Sequence, residues 1–118
     1  MGEPLPSLEA LRSAVERRDA AGMKSLYARD AVITIIDAIN PPSRPRVIRG
    51  AEEIGRYLDD VCGRDMTHEL DGGVIAGNRL AFLERCTYAD GMRVAASCTA
   101  ELGLGGIVRQ TTVQAWDA

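Results

Sequence analysis

Three turn signals punctuate the C-terminal half of the chain: Gly77-Asn78, Asp90-Gly91 and the Gly-Gly that ends a GLGG run at residues 103–106. Between them the residues alternate between apolar and polar. Two-residue loops of this kind join antiparallel strands and dictate which residues stand opposite one another, and opposite residues share a sheet face. The spacing predicts four hairpin-linked strands at about 66–76, 79–89, 92–104 and 107–117. With Gly77-Asn78 as a two-residue loop, His68 faces Thr87 and Leu70 faces Arg85. With Asp90-Gly91 as another, Thr87 meets Val94, Arg85 meets Ala96 and Leu83 meets Cys98. One face then carries His68, Leu70, Leu83, Arg85, Thr87, Val94, Ala96, Cys98, Ala100 and Leu102: apolar, with a few polar groups gathered together. Two points can change this parity. Gly72-Gly73 can hold a β-bulge, and the GLGG turn leaves two registers for the last strand, one offering Gln110, Thr112 and Gln114 to this face, the other Thr111 and Val113.

Upstream the period is that of helices. Leu8, Leu11, Ala14 and Val15 recur at three- and four-residue spacing behind Ser7, which can cap them. Asp19 can cap a second helix over AAGMKSLYA. From Ala31 a continuous VITII run reads as a strand covered on both faces, ending at Asp37 before a proline-rich loop at residues 40–46. A third helix opens after Gly50, carries Ile54, Tyr57, Leu58 and Val61 on one stripe, and stops at Gly63. Helices first and strands afterwards predict an α+β fold, in which helices cover one face of a long sheet.

A chain of 118 residues has room for one domain, 1–118, with one modest core. One Trp, three Tyr and one Phe make that core mainly aliphatic. A net charge of −3 with both signs scattered supplies no basic stripe, which argues against nucleic acid as a partner. No apolar run approaches the roughly 20 residues of a membrane span, and the first residues lack a charged-then-apolar leader pattern, so a cytoplasmic protein is expected. Cys62, Cys86 and Cys98 are odd in number, stand at no metal-ligand spacing and read as reduced, buried thiols. With one histidine in the chain, neither a metal site nor a cofactor is expected.

The order of elements, together with DAAGMKSLYARDAVI at residues 19–33, RGAEEIGRYL at 49–58 and GGIVRQTTVQAW at 105–116, resembles the nuclear transport factor 2-like superfamily, in its SnoaL-like and ketosteroid isomerase-like branch. That resemblance implies a cone-shaped fold of three N-terminal helices packed on a curved antiparallel sheet enclosing a pocket. It also implies acid–base chemistry (isomerase, cyclase, dehydratase or epoxide hydrolase) on an apolar polyketide- or steroid-like compound, or a non-catalytic binding or adaptor role. The family's chemistries map incompletely. The ketosteroid isomerase base falls at Ile35, its tyrosine at Leu11 and its protonated acid near Cys98, all apolar here. The limonene epoxide hydrolase arginine falls at Arg85, but its two aspartates fall at Thr87 and Thr112. The scytalone dehydratase histidine falls at His68.

The residues themselves suggest Asp37, at the end of an apolar strand, as the carboxylate best placed to move a proton, and His68 as acid, base or donor. Ile35, Leu70, Arg85, Thr87, Cys98 and Thr112 are expected to line the pocket around a small apolar ligand. On the same parity Leu80, Phe82, Cys86 and Tyr88 point away from the pocket, an apolar patch that predicts a homodimer through the open sheet face.

Overall fold

In the computed structural model, which describes residues 6–117, helices α1 (Leu8–Glu16) and α2 (Ala20–Lys24) come first. Strands β1 (Tyr27–Ile36) and β2 (Arg46–Arg49) follow, then helix α3 (Gly50–Gly63) and strands β3 (Met66–Ala76), β4 (Arg79–Tyr88), β5 (Arg93–Gly103) and β6 (Gly106–Trp116). The caps form where the sequence places them: Ala10 N–H donates to Ser7 Oγ at 3.0 Å and Gly22 N–H to Asp19 Oδ1 at 3.0 Å. Helix α2 is shorter than its apolar stripe suggests. Leu26 O accepts from Ile107 N–H at 2.8 Å and Tyr27 pairs with Ile107, so the edge of β6 captures the chain and converts the end of the expected helix into strand.

The six strands form one sheet in the order β2-β1-β6-β5-β4-β3. It is mixed rather than antiparallel, because β1 lies parallel to β6 while the other neighbours are antiparallel. The four-residue β2, not foreseen in the sequence, sets Ile48 opposite Ile33. The third helix follows two strands and is not N-terminal. Helix α1 packs on β3 and α3 on β1, so all three helices lie against one side of the sheet and divide the core into two clusters. Leu11, Ala14 and Val15 meet Leu70, Leu80, Phe82, Ala100, Leu102 and Ile107 in one. Ile54 and Leu58 meet Ile33, Ile35 and Ile48 in the other. Strand β1 is buried on that side alone; Val32, Thr34 and Ile36 on its other side are half-buried.

Two one-residue shifts decide the facing of β4. The Gly77-Asn78 loop keeps its expected register, with Ile75 opposite Leu80, but a bulge between Asp71 and Gly73, with Gly72 at φ +67°, moves every pair beyond it by one. His68 therefore stands opposite Cys86, and Leu70 opposite Glu84. The β4–β5 turn is a three-residue loop, Ala89-Asp90-Gly91, with Tyr88 N–H donating to Met92 O at 2.9 Å and Gly91 at φ +92°. That second shift cancels the first. Strands β3 and β5 face as expected, while β4 is inverted between them: Leu80, Phe82, Glu84 and Cys86 point inward, and Leu83, Arg85 and Thr87 point out.

Candidate functional site

At one end of the sheet the helices leave the inner face uncovered, and a cavity of about 550 Å³ opens to solvent. Ile35, Tyr57, Val61, Met66, Val94, Ala96 and Trp116 supply its apolar wall. Ile39 and Met92, exposed by 77% and 37%, stand at its rim on the β1–β2 loop and beside the β4–β5 turn. Asp37, Asn40, Arg46, Arg64, Glu84, Gln114 and Asp117 are the charged or amide groups that line it. An apolar pocket with a few convergent polar groups is the usual form of a small-molecule site. A groove of similar size on the outer sheet face is lined by Thr67, Glu69, Arg85, Thr87, Arg93 and Ala95, largely polar and exposed, and lacks that character.

Glu84 is the carboxylate that the inverted strand delivers to the wall. His68 Nδ1 lies 2.7 Å from Glu84 Oε1, with the two side chains 3% and 16% exposed. Cys86 Sγ lies 3.3 Å from the same nitrogen and 3.6 Å from the same oxygen. His68 Nε2 is buried with no partner among the described residues. A buried N–H without an acceptor is costly, so the ring carries its proton on Nδ1, donates it to Glu84 Oε1 and leaves Nε2 bare. Oε1 is thereby engaged. Glu84 Oε2 has no protein donor among the described residues and is not sealed in, so it meets the cavity.

The neighbouring acids are held protonated. Burial and the charge of Glu84 push the Tyr57 phenol up to about 12, which keeps its hydroxyl a donor. Burial first, and Glu84 second, push the Cys86 thiol up to about 12 as well, so Cys86 is no nucleophile at neutral pH. Arg46 lies over the Tyr57 ring at 5.3 Å, and Arg64 is occupied by Asp60 and the Tyr88 hydroxyl.

The expected site residues divide into three groups. Ile35 and Asp37 line the cavity. Asp37 also closes the following turn, its Oδ1 accepting from Ile39 N–H, Asn40 N–H and Asn40 Nδ2 at 2.8–3.0 Å. His68, Leu70, Cys98 and Thr112 face inward, packed behind the cavity: Cys98 Sγ touches Thr112 Oγ1, which accepts from Gln110 Nε2, which in turn is tied to the Tyr27 hydroxyl. The last strand takes the register that turns Gln110, Thr112 and Gln114 inward. Arg85 and Thr87 are not in the pocket. The bulge places them on the opposite face from His68, where Arg85 pairs with Asp71 at 2.9 Å. The same inversion buries Leu80, Phe82 and Cys86 and leaves Tyr88 half-buried at the cavity, so the outward apolar patch expected of them does not exist. Glu84 was missed for this reason; its signal is the period-two run Leu80, Phe82, Glu84, Cys86, in which a carboxylate occupies an apolar stripe.

Comparison with solved structures gives the same architecture. A nuclear transport factor 2-like protein of unknown function from Mesorhizobium loti superposes with a TM-score of 0.75 at 18% identity, over 96% of this chain and 99% of that one. A provisionally assigned ketosteroid isomerase from Kribbella flavida DSM 17836 gives 0.74 at 17% identity, over 93% and 74%. A computationally designed 17-OHP binder gives 0.66 at 17% identity, over 93% of each. No curated protein matches. The fold is thus nuclear transport factor 2-like, and since the SnoaL-like domain family matches residues 8–105, the chain belongs to that family.

Proposed function

We propose that this SnoaL-like domain is an acid–base enzyme acting on a small, largely apolar carbonyl compound of polyketide or steroid type, with Glu84 as proton acceptor. One observation carries the reading: a carboxylate whose one oxygen is fixed by a buried histidine presents the other to an apolar cavity. Removal of a proton α to a carbonyl needs a base within reach and a donor for the oxygen as negative charge gathers there. Glu84 Oε2 takes the proton as the base, His68 orients the carboxyl group through Oε1, and Tyr57 donates to the substrate oxygen. A ligand held between the wall and the rim residues Ile39 and Met92 displaces water from the carboxylate. Asp37 holds the rim turn rather than the proton. The names of the ketosteroid isomerase and 17-OHP binder relatives support an apolar polycyclic ligand.

The second reading, a non-catalytic binder, is favoured by the engagement of Glu84 Oε1 with both His68 and Cys86. Fluorescence of Trp116, the one tryptophan and a wall residue, reports occupancy by steroid enones. Proton NMR in deuterated water then reports exchange of their α-hydrogens. The enzyme reading requires binding with exchange, and requires Glu84→Gln to slow that exchange by about 100-fold or more while binding persists. No exchange above the uncatalysed rate leaves the binder, whereas catalysed exchange unchanged in Glu84→Gln refutes Glu84 as the base. A homodimer is proposed on new grounds: among the polar residues of the outer face, β5 and β6 set a strip of small or apolar ones, Ala95, Ser97, Val113 and Ala115, with Val113 exposed by 49%. Sedimentation that finds only a 12.7 kDa species at micromolar concentration refutes it.

A further inference from the structure

We infer that His68, Glu84 and Cys86 form a binding site for a zinc-class divalent cation whose open coordination position faces the cavity. The three residues supply an imidazole nitrogen, a carboxylate oxygen and a sulfur, the donor set that zinc accepts. They are also built into rigid sheet. His68 and Cys86 are direct cross-strand partners on β3 and β4, and Glu84 is two residues before Cys86 on the same face.

The spacing is close to that of a loaded site. Bonds of about 2.0–2.3 Å at tetrahedral angles put sulfur roughly 3.5 Å from each of the other two donors, and nitrogen and oxygen roughly 3.3 Å from each other. The separations are 3.6 Å for Cys86 Sγ to Glu84 Oε1, 3.3 Å for Cys86 Sγ to His68 Nδ1 and 2.7 Å for His68 Nδ1 to Glu84 Oε1. Only the last must open appreciably, and it is the one a shared proton now draws together. Glu84 and Cys86 both line the cavity, so the fourth position lies on that side, an arrangement of three protein ligands and one open site.

Binding is balanced by one proton. The Cys86 thiol, protonated in the metal-free site, gives up its hydrogen to solvent only as sulfur bonds the metal, and the His68 proton moves from Nδ1 to Nε2. Nε2 has no acceptor for it among the described residues, so the site lacks the outer partner that metal-bound histidines usually have and is about 10- to 100-fold weaker than a fully supported one. The inference uses the same residues as the proton-transfer reading but does not rest on it. In the loaded state Glu84 Oε1 is a ligand, and the pocket offers a Lewis acid in place of a free base.

Cobalt(II) titration of the full chain tests the site by absorbance, without any substrate. The expected result is saturation at one equivalent, with a thiolate-to-cobalt charge-transfer band and strong visible bands of tetrahedral character. Cys86→Ser should abolish the charge-transfer band and weaken binding by at least about tenfold, whereas Cys62→Ser and Cys98→Ser should leave both unchanged. If Cys86→Ser does not fold, as judged by circular dichroism, Glu84→Gln substitutes: a loss of at least tenfold supports the site and unchanged affinity overturns it. No thiolate band at tenfold excess of cobalt, or a band that survives Cys86→Ser, also overturns it. Neither result bears on α-proton exchange by the metal-free protein, so the two readings fail separately.

Discussion

Replacing Glu84 with leucine tests the facing of β4, on which the whole site depends. The side chain is 16% exposed and accepts from His68, itself 3% exposed, whose Nδ1 otherwise meets Cys86 Sγ alone at 3.3 Å. Glu84→Leu removes that acceptor and leaves Nδ1 only the weak sulfur acceptor of Cys86, beside an Nε2 with no partner among the described residues. A buried donor left unsatisfied costs about 1–3 kcal/mol, partly offset because a carboxylate no longer needs to be desolvated. The net expectation is a loss of about 1–2 kcal/mol, or roughly 3–8 °C in melting temperature for a chain of this length. Removing both partners is different, since two apolar groups in their place leave nothing unpaired. Glu84→Leu/His68→Leu should therefore be less destabilised than the sum of the single variants by about 1 kcal/mol or more. Arg85→Leu is the control: its pair with Asp71 is 56% and 50% exposed, and the change should stay within about 0.5 kcal/mol. Urea unfolding followed by circular dichroism measures all four. Additive single variants, or a cost for Arg85→Leu equal to that of Glu84→Leu, would refute the register.

Alkaline pH should destabilise the fold. Burial raises the Cys86 and Cys98 thiols from 9.0 to about 12 and the Tyr57 phenol from 10.0 to about 12, so their contribution is complete below pH 9 and is lost as pH rises towards 12. Each such group removes at most about 1.4 kcal/mol per pH unit across that window, and urea midpoints in Cys98→Ala should fall less steeply above pH 9 than in the parent. Gly106→Ala should cost at least about 2 kcal/mol, because φ is +121° and an added Cβ runs into Leu26 O where β1 meets β6; an unchanged melting temperature would contradict that pairing. Asp37→Asn retains an oxygen for its turn donors and should leave α-proton exchange within about threefold of the parent, against the 100-fold or greater loss of Glu84→Gln. A large loss in Asp37→Asn alone would move the base to the rim.

The elements were legible in the sequence because each rests on local chemistry. Ser7 and Asp19 cap the helices expected of them, and strands β3 to β6 end within a residue or two of their glycine and asparagine turns. What escaped depends on contacts distant along the chain or on one backbone angle. The start of β1 is drawn out of helix α2 by β6, and β2 becomes a strand by pairing with β1. The site was misread at one strand: Gly72 was recognisable as a bulge candidate, but whether it bulges is settled by packing. Leu80 and Phe82 are buried with α1 when it does, and would stand on the outer face when it does not. The three-residue Ala89-Asp90-Gly91 turn then restored β5, so Cys98 and Ala96 were placed correctly by two compensating shifts, while Arg85 and Thr87 were exchanged for Glu84 and Cys86.

His68 is the one histidine in the chain, which makes its ring the most direct reporter of the Glu84 pair. Nitrogen-15 NMR of the histidine-labelled protein at neutral pH distinguishes the two ring nitrogens by chemical shift and by coupling to their hydrogens. The geometry predicts the proton on Nδ1, slow to exchange, with Nε2 bare, and predicts that Glu84→Gln and a steroid enone in the cavity each perturb the Nδ1 resonance. A ring protonated on Nε2 alone, or an Nδ1 resonance indifferent to Glu84→Gln, would contradict the account.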